Sequence, residues 1–244
     1  MRLDVFLTVN RLVRSRSEAA KLIGEGNVSF DGSPCLRASF ALPEDTDPSR
    51  ITVCREAHPY VSRGGEKLAA ALAAFPVSPR GRVALDIGAS SGGFTDCLLQ
   101  HGAAQVFAVD SGEGQLVPSL RQDRRVTVYE HCNARFLKAG DFPCPPTFAV
   151  MDVSFISATL IFPALSGVLS PGVPFICLIK PQFEVGRSGL GKGGIVRDEK
   201  LRIAARDRVC QAAAEQGFSL LGTIDSPIPG GDGNKEYLAA FVRR

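Results

Sequence analysis

The sequence predicts an α/β chain in which a small α+β unit precedes a larger, doubly wound and mostly parallel sheet. Three observations predict it. The segment Val83-Ala-Leu-Asp86-Ile-Gly88-Ala-Ser-Ser91-Gly92-Gly93-Phe94-Thr-Asp96 carries an apolar strand into an acidic residue, a glycine loop and a helix. That is the turn in which glycines admit a nucleotide to the backbone and a helix N-terminus faces it. From Val83 onward, strand-like and helix-like segments alternate as a parallel sheet requires. Residues 1 to 58 read differently and end at His58-Pro-Tyr-Val-Ser-Arg63-Gly-Gly65, whose proline and glycines mark a linker over 59–65 and a second domain over 66–244.

In the first unit, Leu3, Phe6 and Leu7 recur at helical spacing, and Ser15-Arg-Ser-Glu18 has the form of a capping box opening a second helix through Ile23. Gly24 and Gly26 stop it. Asn27 to Phe30 reads as a strand, Asp31-Gly32 as a tight turn, the segment from Leu36 to Leu42 as the partner strand, and Ile51-Thr-Val53 as another strand. Arg2, Arg11, Arg14, Arg16 and Lys21 gather around the two helices, a cluster that suits a phosphate backbone as well as a solvated helical face. The order of two short helices with a basic junction, a glycine and a hairpin resembles the αL RNA-binding motif of small-subunit ribosomal protein four. By that resemblance these five residues contact RNA, and Arg63 in the linker is expected to join them.

The second unit opens on Glu66-Lys67-Leu-Ala-Ala-Ala-Leu-Ala-Ala-Phe75, a strong helix-forming run. Lys67 in its first turn opposes the helix dipole and needs another reason to be there. Strands follow near 83–87, 105–110, 126–130, 147–152, 174–179, 219–225 and 236–242, with helices near 93–101, 114–122, 157–168 and 198–216. The last two strands are joined by a short polar loop, so a hairpin fits better than a helical crossover. Asp110 ends the second strand 24 residues after Asp86, placed to hold ribose hydroxyls. Glycine loop plus distal acid reads as an adenosine site.

Composition narrows the classes. The 244 residues, formal net charge +3 and 45% hydrophobic content suit one large domain plus a small one. No apolar run reaches the ~20 residues a membrane helix needs, and no early segment has the long apolar core and small-residue cleavage site of a signal peptide. Seven scattered cysteines without paired spacing read as free thiols in a reducing cytoplasm, with neither a disulfide framework nor a metal site. No stable protein partner and no membrane association is indicated.

Charged residues at strand ends carry extra weight, because ligands of open α/β sheets lie there. Asp152 ends one apolar strand, Lys180 the next, and Glu236 opens the last. The stretches Val61-Ser-Arg-Gly-Gly-Glu-Lys67, Asp86 to Asp96, Val109-Asp-Ser-Gly-Glu-Gly-Gln-Leu116, Met151-Asp-Val-Ser-Phe155, Lys180-Pro-Gln-Phe-Glu184 and Gly191-Lys-Gly-Gly194 resemble the TlyA family of ribosomal-RNA ribose methyltransferases, whose catalytic domain is related to the FtsJ methyltransferase. The likeness spans essentially the whole chain. It implies a Rossmann-like S-adenosylmethionine-dependent methyltransferase sheet of seven strands, the last antiparallel, acting on ribosomal RNA or ribosomal subunits, with cytidine 2′-hydroxyls as targets.

By the same resemblance, Lys67, Asp152, Lys180 and Glu236 form a catalytic tetrad. A ribose hydroxyl is a poor nucleophile and needs in-line placement and an acceptor for its proton. Lys180 is the expected base, tuned by a second cation and partial burial, with Asp152 and Glu236 orienting the lysines. S-adenosylmethionine is expected against Asp86, Gly88, Ser91, Gly92, Gly93 and Phe94 of the glycine loop. Asp110, Gly112, Gln115 and Leu116 would take its ribose and adenine, with Asn133 and Ala134 at the adenine edge.

Rival readings fit less well. Amino-group methyltransferases favour an Asn/Asp-Pro-Pro-aromatic turn where this chain has Asp152-Val-Ser-Phe155. Pro143-Cys144-Pro145 resembles the Pro-Cys nucleophile of cytosine C5 enzymes but precedes the fourth strand. A nicotinamide oxidoreductase leaves the paired lysines without a role. The family also carries the name hemolysin, which would imply a membrane-active protein, and an RNA-binding module without catalysis would leave four filled tetrad positions unexplained.

Overall fold

The computed structural model describes residues 1–24, 27–35, 37–43, 45–53, 59–230 and 233–244, with Lys21 and Pro34 described by backbone alone. Gly26, Leu36, Cys54 and the Lys21 side chain therefore lie outside the described residues. The chain divides into two compact units, Met1–His58 and Pro59–Arg244.

In the first unit, α1 (Leu3–Val9) and α2 (Arg16–Gly24) bury Leu3, Phe6, Leu7, Ala19 and Ile23 against Val28 and Ile51. The capping box at α2 is displaced by one residue: Ser15 Oγ accepts from Glu18 N at 3.2 Å, while the Glu18 carboxylate accepts from Arg14 N, at 2.6 Å, instead of from Ser15. Strands β1 (Val28–Phe30), β2 (Ser33–Pro34) and β3 (Ile51–Val53) form an antiparallel sheet in the order β2-β1-β3. Asp31 and Gly32 both have positive φ, 49° and 76°, the two-residue hairpin turn the sequence signals. That turn corrects the expected partner strand. It sets Phe30 opposite Ser33, so pairing begins at residue 33 and not in the 36–42 segment. The described part of that segment instead runs beside the start of α1, where the carbonyls of Phe40 and Ala38 accept from Leu3 N and Asp4 N at 2.8 and 3.1 Å. These are amides that a helix N-terminus leaves without intrahelical partners.

In the second unit, α3 (Gly64–Ala74) begins two residues earlier than the composition of its apolar run suggests. It is followed by β4 (Val83–Ile87), α4 (Gly93–Gln100), β5 (Gln105–Val109), α5 (Pro118–Arg121), β6 (Val126–Tyr129), β7 (Phe148–Met151), α6 (Phe162–Val168), β8 (Pro174–Ile179), α7 (Glu199–Glu215), β9 (Phe218–Asp225) and β10 (Tyr237–Arg243). The sheet order is β6-β5-β4-β7-β8-β10-β9. β10 is antiparallel to both of its neighbours, and the pairs among β4 to β8 are parallel. The seventh strand thus slots between the fifth and the sixth, as the hairpin reading requires.

Alternation along the strands divides the core into two layers. Leu85, Ile87, Phe107, Val109, Phe175 and Phe241 face one, with Phe162 and Phe218, while Ala84, Val106, Ala108, Phe148, Ile176 and Leu238 face the other, with Leu68, Phe94 and Leu98. Two predicted helices are corrected. The 114–122 helix is a single turn, since Gly114 has φ of 65° and Val117 is non-helical ahead of Pro118. The 157–168 helix breaks into a 3₁₀ turn over Ala158–Leu160 and then α6, with Pro163 in its first turn.

Candidate active site

The carboxyl ends of β4, β5 and β7 enclose a cavity of about 390 Å³ lined by Gly88, Ser90, Asp110, Gln115, Asn133, Ala134, Asp152 and Phe155, among others. Gly88 has φ of 83°, and a Cβ there would stand 2.3 Å from the Asp152 carbonyl oxygen, so only glycine lets these strand ends approach so closely. The Asp110 carboxylate is held by two backbone amides: Ser90 N donates to Oδ2 and Gly112 N to Oδ1, each at 2.8 Å. Each oxygen keeps acceptor capacity for a hydroxyl. Asn133 caps the 3₁₀ turn Ala134–Phe136, its Oδ1 accepting from Arg135 N at 3.1 Å. A fixed carboxylate on one wall and an amide on another suit a nucleoside with a free ribose diol.

The remaining residues expected at the cofactor stand behind this wall. Phe94 and Leu116 are buried in the core. At Gly92 a Cβ would lie 2.3 Å from Leu120, and at Gly93 it would lie 2.2 Å from Ser62 Oγ, so these glycines admit neighbouring protein groups. Gly112 leaves space for the Gln115 amide, and Ser91 accepts from Val117 N at 3.3 Å through its carbonyl. Asp86 is fully buried at the start of α4, its Oδ2 accepting from Thr95 Oγ1 at 2.6 Å and its Oδ1 without a partner among the described residues. Burial pushes this carboxyl up to about 7; the Thr95 hydroxyl pulls it down and Asp152 adds a further push.

The four tetrad positions form two ion pairs. Lys67 reaches from α3 to Glu236, with Nζ 2.5 Å from Oε2, and both side chains are almost wholly buried. This partner answers the puzzle of a lysine opposed to the helix dipole. Lys180 Nζ lies 2.5 Å from Asp152 Oδ1 and donates to Ser154 Oγ at 2.8 Å. Each lysine thus has one of the two carboxylates beside it, Lys67 with Glu236 and Lys180 with Asp152. Lys180 follows Ile179 and Glu236 precedes Tyr237, and Ile179 and Tyr237 are register partners on β8 and β10. Asp152 follows the end of β7, which pairs with β8.

Two buried residues close in sequence to the tetrad have supporting duties. Glu184 is buried and accepts from Ser157 Oγ at 2.6 Å and Ala158 N at 2.9 Å, tying the segment after Lys180 to the turn after Phe155. Asn234 accepts from Val196 N at 2.9 Å and donates to Gly194 O at 3.1 Å, fixing the Gly191–Gly194 segment beside the Glu236 approach. One residue that carried no role in the sequence reading is Phe155. It is 92% exposed on the cavity rim, has φ of 65°, and its ring centroid lies 5.3 Å from that of Phe183. Left-handed backbone is costly for a phenylalanine, and such strain clusters at active sites and ligand clamps. The signal available was its place three residues after Asp152.

In the first unit, Arg2 and Arg16 converge on Asp4. Arg2 Nε and Nη2 donate to the carboxylate at 2.9 and 3.1 Å, and Arg16 Nη2 at 2.9 Å. The Arg2 hydrogen bonds hold the Asp4 carboxyl down at about 2, against the upward push of burial. Arg11 and Arg14 are exposed. Arg63 belongs to the second unit, at the N-cap of α3.

The family model described as FtsJ-like methyltransferase matches residues 60–243, and that described as S4 domain matches residues 1–47. The 16S/23S rRNA (cytidine-2′-O)-methyltransferase TlyA of Mycobacterium tuberculosis is 44% identical over 236 residues, 97% of this chain and 87% of that protein. A solved structure from Streptococcus thermophilus, described as a hemolysin, has a TM-score of 0.79 at 41% identity and covers 100% of this chain and 88% of that one. Fibrillarin from Aeropyrum pernix, solved with natively bound S-adenosyl-L-methionine, shares the fold at TM-score 0.51 and 16% identity, over 73% of this chain and 76% of that one.

Proposed function

The chain belongs to the FtsJ-like methyltransferase family, and from that premise we propose that it methylates the ribose 2′-hydroxyl of a cytidine in ribosomal RNA, acting on ribosomal subunits. The observation that carries this reading is the pair of lysine–carboxylate contacts at neighbouring strand ends, one of them on the cavity wall. The Mycobacterium tuberculosis relative's name supports the substrate, and the S4 match over residues 1–47 supports RNA binding by the first unit.

S-adenosylmethionine, when bound, supplies an electrophilic methyl group on a sulfonium. Asp110, held by two amides, takes the ribose hydroxyls, and Gln115, Asn133 and Ala134 bound the adenine. Gly88 gives the close strand approach, and Asp86 anchors the first turn of α4 through Thr95. Lys180 Nζ is the acceptor for the proton that the 2′-hydroxyl sheds, and Asp152 at 2.5 Å stabilises the ammonium that results. Ser154 fixes the direction of Nζ. Lys67 and Glu236, buried together, hold the neighbouring wall rigid. Phe155 offers its exposed face to the target base or its neighbour, the mode by which single-stranded RNA is gripped.

No helix among the described residues is long and apolar enough to cross a membrane.

The test is to incubate the protein with ribosomal subunits and methyl-labelled cofactor, digest the RNA to nucleosides and identify the labelled species by mass spectrometry. Label in 2′-O-methylcytidine is expected. Label in a base-methylated nucleoside, or none in any ribosomal substrate, would overturn the reading.

A further inference from the structure

Asp4 is an acid at the centre of a basic cluster. Its side chain is only 5% exposed, while those of Arg2 and Arg16, which it joins, are 53% and 60% exposed. Arg2 uses two of its N–H donors on the carboxylate and Arg16 one, so most of the five donors of each guanidinium remain unused on side chains that are more than half exposed. Arg2 immediately precedes α1 and Arg16 opens α2. One buried carboxylate therefore sets two exposed guanidinium planes at the junction of the helices.

Charge counting makes Asp4 a defect in a surface for RNA, because a carboxylate beside two arginines lowers the attraction for phosphate. Side-chain order argues the other way. An arginine carries large rotamer entropy, and a fork held in place before binding loses less of it when it meets a phosphate. We propose that Asp4 is a positioning residue that presents Arg2 and Arg16 as a fixed two-pronged clamp for neighbouring RNA phosphates. This rests on the reading that the first unit binds RNA, and adds to it a residue of the opposite sign.

The proposal and simple electrostatics predict opposite signs for Asp4→Asn. Removing the acid adds one positive charge, yet the full chain should bind a ribosomal RNA fragment about tenfold more weakly at moderate salt, the scale of two long side chains losing their prior order. The slope of log affinity against log salt should stay unchanged, because both cations still reach the phosphates. In an Arg2→Ala/Arg16→Ala background the slope should fall by about two phosphate contacts, and Asp4→Asn added there should weaken binding no further. Calorimetry with S-adenosylmethionine checks that the second unit is intact, and circular dichroism selects a temperature at which every variant is folded. Unchanged or tighter RNA binding by Asp4→Asn would overturn the proposal, as would a further loss in the double-alanine background. Failure of Arg2→Ala/Arg16→Ala to lower affinity or slope would instead remove these arginines from the RNA surface altogether.

Discussion

Lys67 and Glu236 stand 169 residues apart in sequence and 2.5 Å apart in space, with side-chain exposures of 10% and 2%. At an effective dielectric near 20, two unit charges at that separation attract by about 7 kcal/mol. Taking both out of water costs several kcal/mol per ion, so the intact pair contributes little net stability. The asymmetry appears when one partner is removed. Lys67→Met leaves a buried carboxylate and Glu236→Gln a buried ammonium, and each should destabilise by about 3–5 kcal/mol, a large share of the 5–15 kcal/mol typical of a domain. The double variant Lys67→Met/Glu236→Gln should recover most of that loss, because no uncompensated charge remains. Urea unfolding of the four proteins supplies the cycle, provided the dependence on denaturant is the same for each. Methyl transfer should stay low in the double variant while its stability returns, which separates the pair's part in the site from its part in the fold. Single variants within 1 kcal/mol of the parent, or a double variant that merely sums the two losses, would refute the reasoning.

Two other predictions follow from the cavity wall. Asp110→Ala should weaken S-adenosylmethionine binding by roughly 1–3 kcal/mol, the scale of a lost charge-assisted hydrogen bond; unchanged affinity by calorimetry in a folded variant would reject that role. Asp86, whose carboxyl is pushed up to about 7 from 3.8, binds a proton in the folded state that the unfolded state has already lost over that window. Its contribution is therefore present below pH ~4 and is lost as pH rises to ~7, by about 4 kcal/mol across the full window. Unfolding of the parent and Asp86→Asn between pH 5 and 8 should show the parent losing stability relative to the variant as pH rises. Parallel pH profiles would show that Asp86 is not the titrating group.

Much of the fold was legible because the strands are buried on both faces and read as apolar runs, from Val83 to Ile87 through Pro174 to Ile179. The acids and lysine that follow such runs could be placed at one edge of the sheet before any geometry was known. What failed was local and steric. A helix over 114–122 scans well by composition, but Gly114 and Pro118 confine it to one turn. Strand propensity favours the 36–42 segment as the partner of β1, but the two-residue turn imposes a register that starts at Ser33. Gly92 and Gly93 look like ligand-facing glycines, and only the positions of Leu120 and Ser62 show what fills the space beside them. The pairing of Lys67 with Glu236 and of Lys180 with Asp152 is set by strand order, which periodicity does not encode. Phe155 was hidden for the opposite reason: its left-handed backbone and exposure are three-dimensional facts with no compositional mark.

The most direct test of the proposed chemistry is single-turnover transfer of labelled methyl to ribosomal RNA, at saturating cofactor and RNA, by the parent, Lys180→Ala and Lys180→Arg. If Lys180 takes the hydroxyl proton, Lys180→Ala should fold and retain much of its RNA binding while losing about 10²-fold or more in rate. Lys180→Arg should be no better, because a guanidinium stays protonated and cannot accept that proton. Near-normal transfer by the alanine variant would contradict the account, and a clear rescue by arginine would make Lys180 a positioning charge and leave Lys67 as the remaining candidate base.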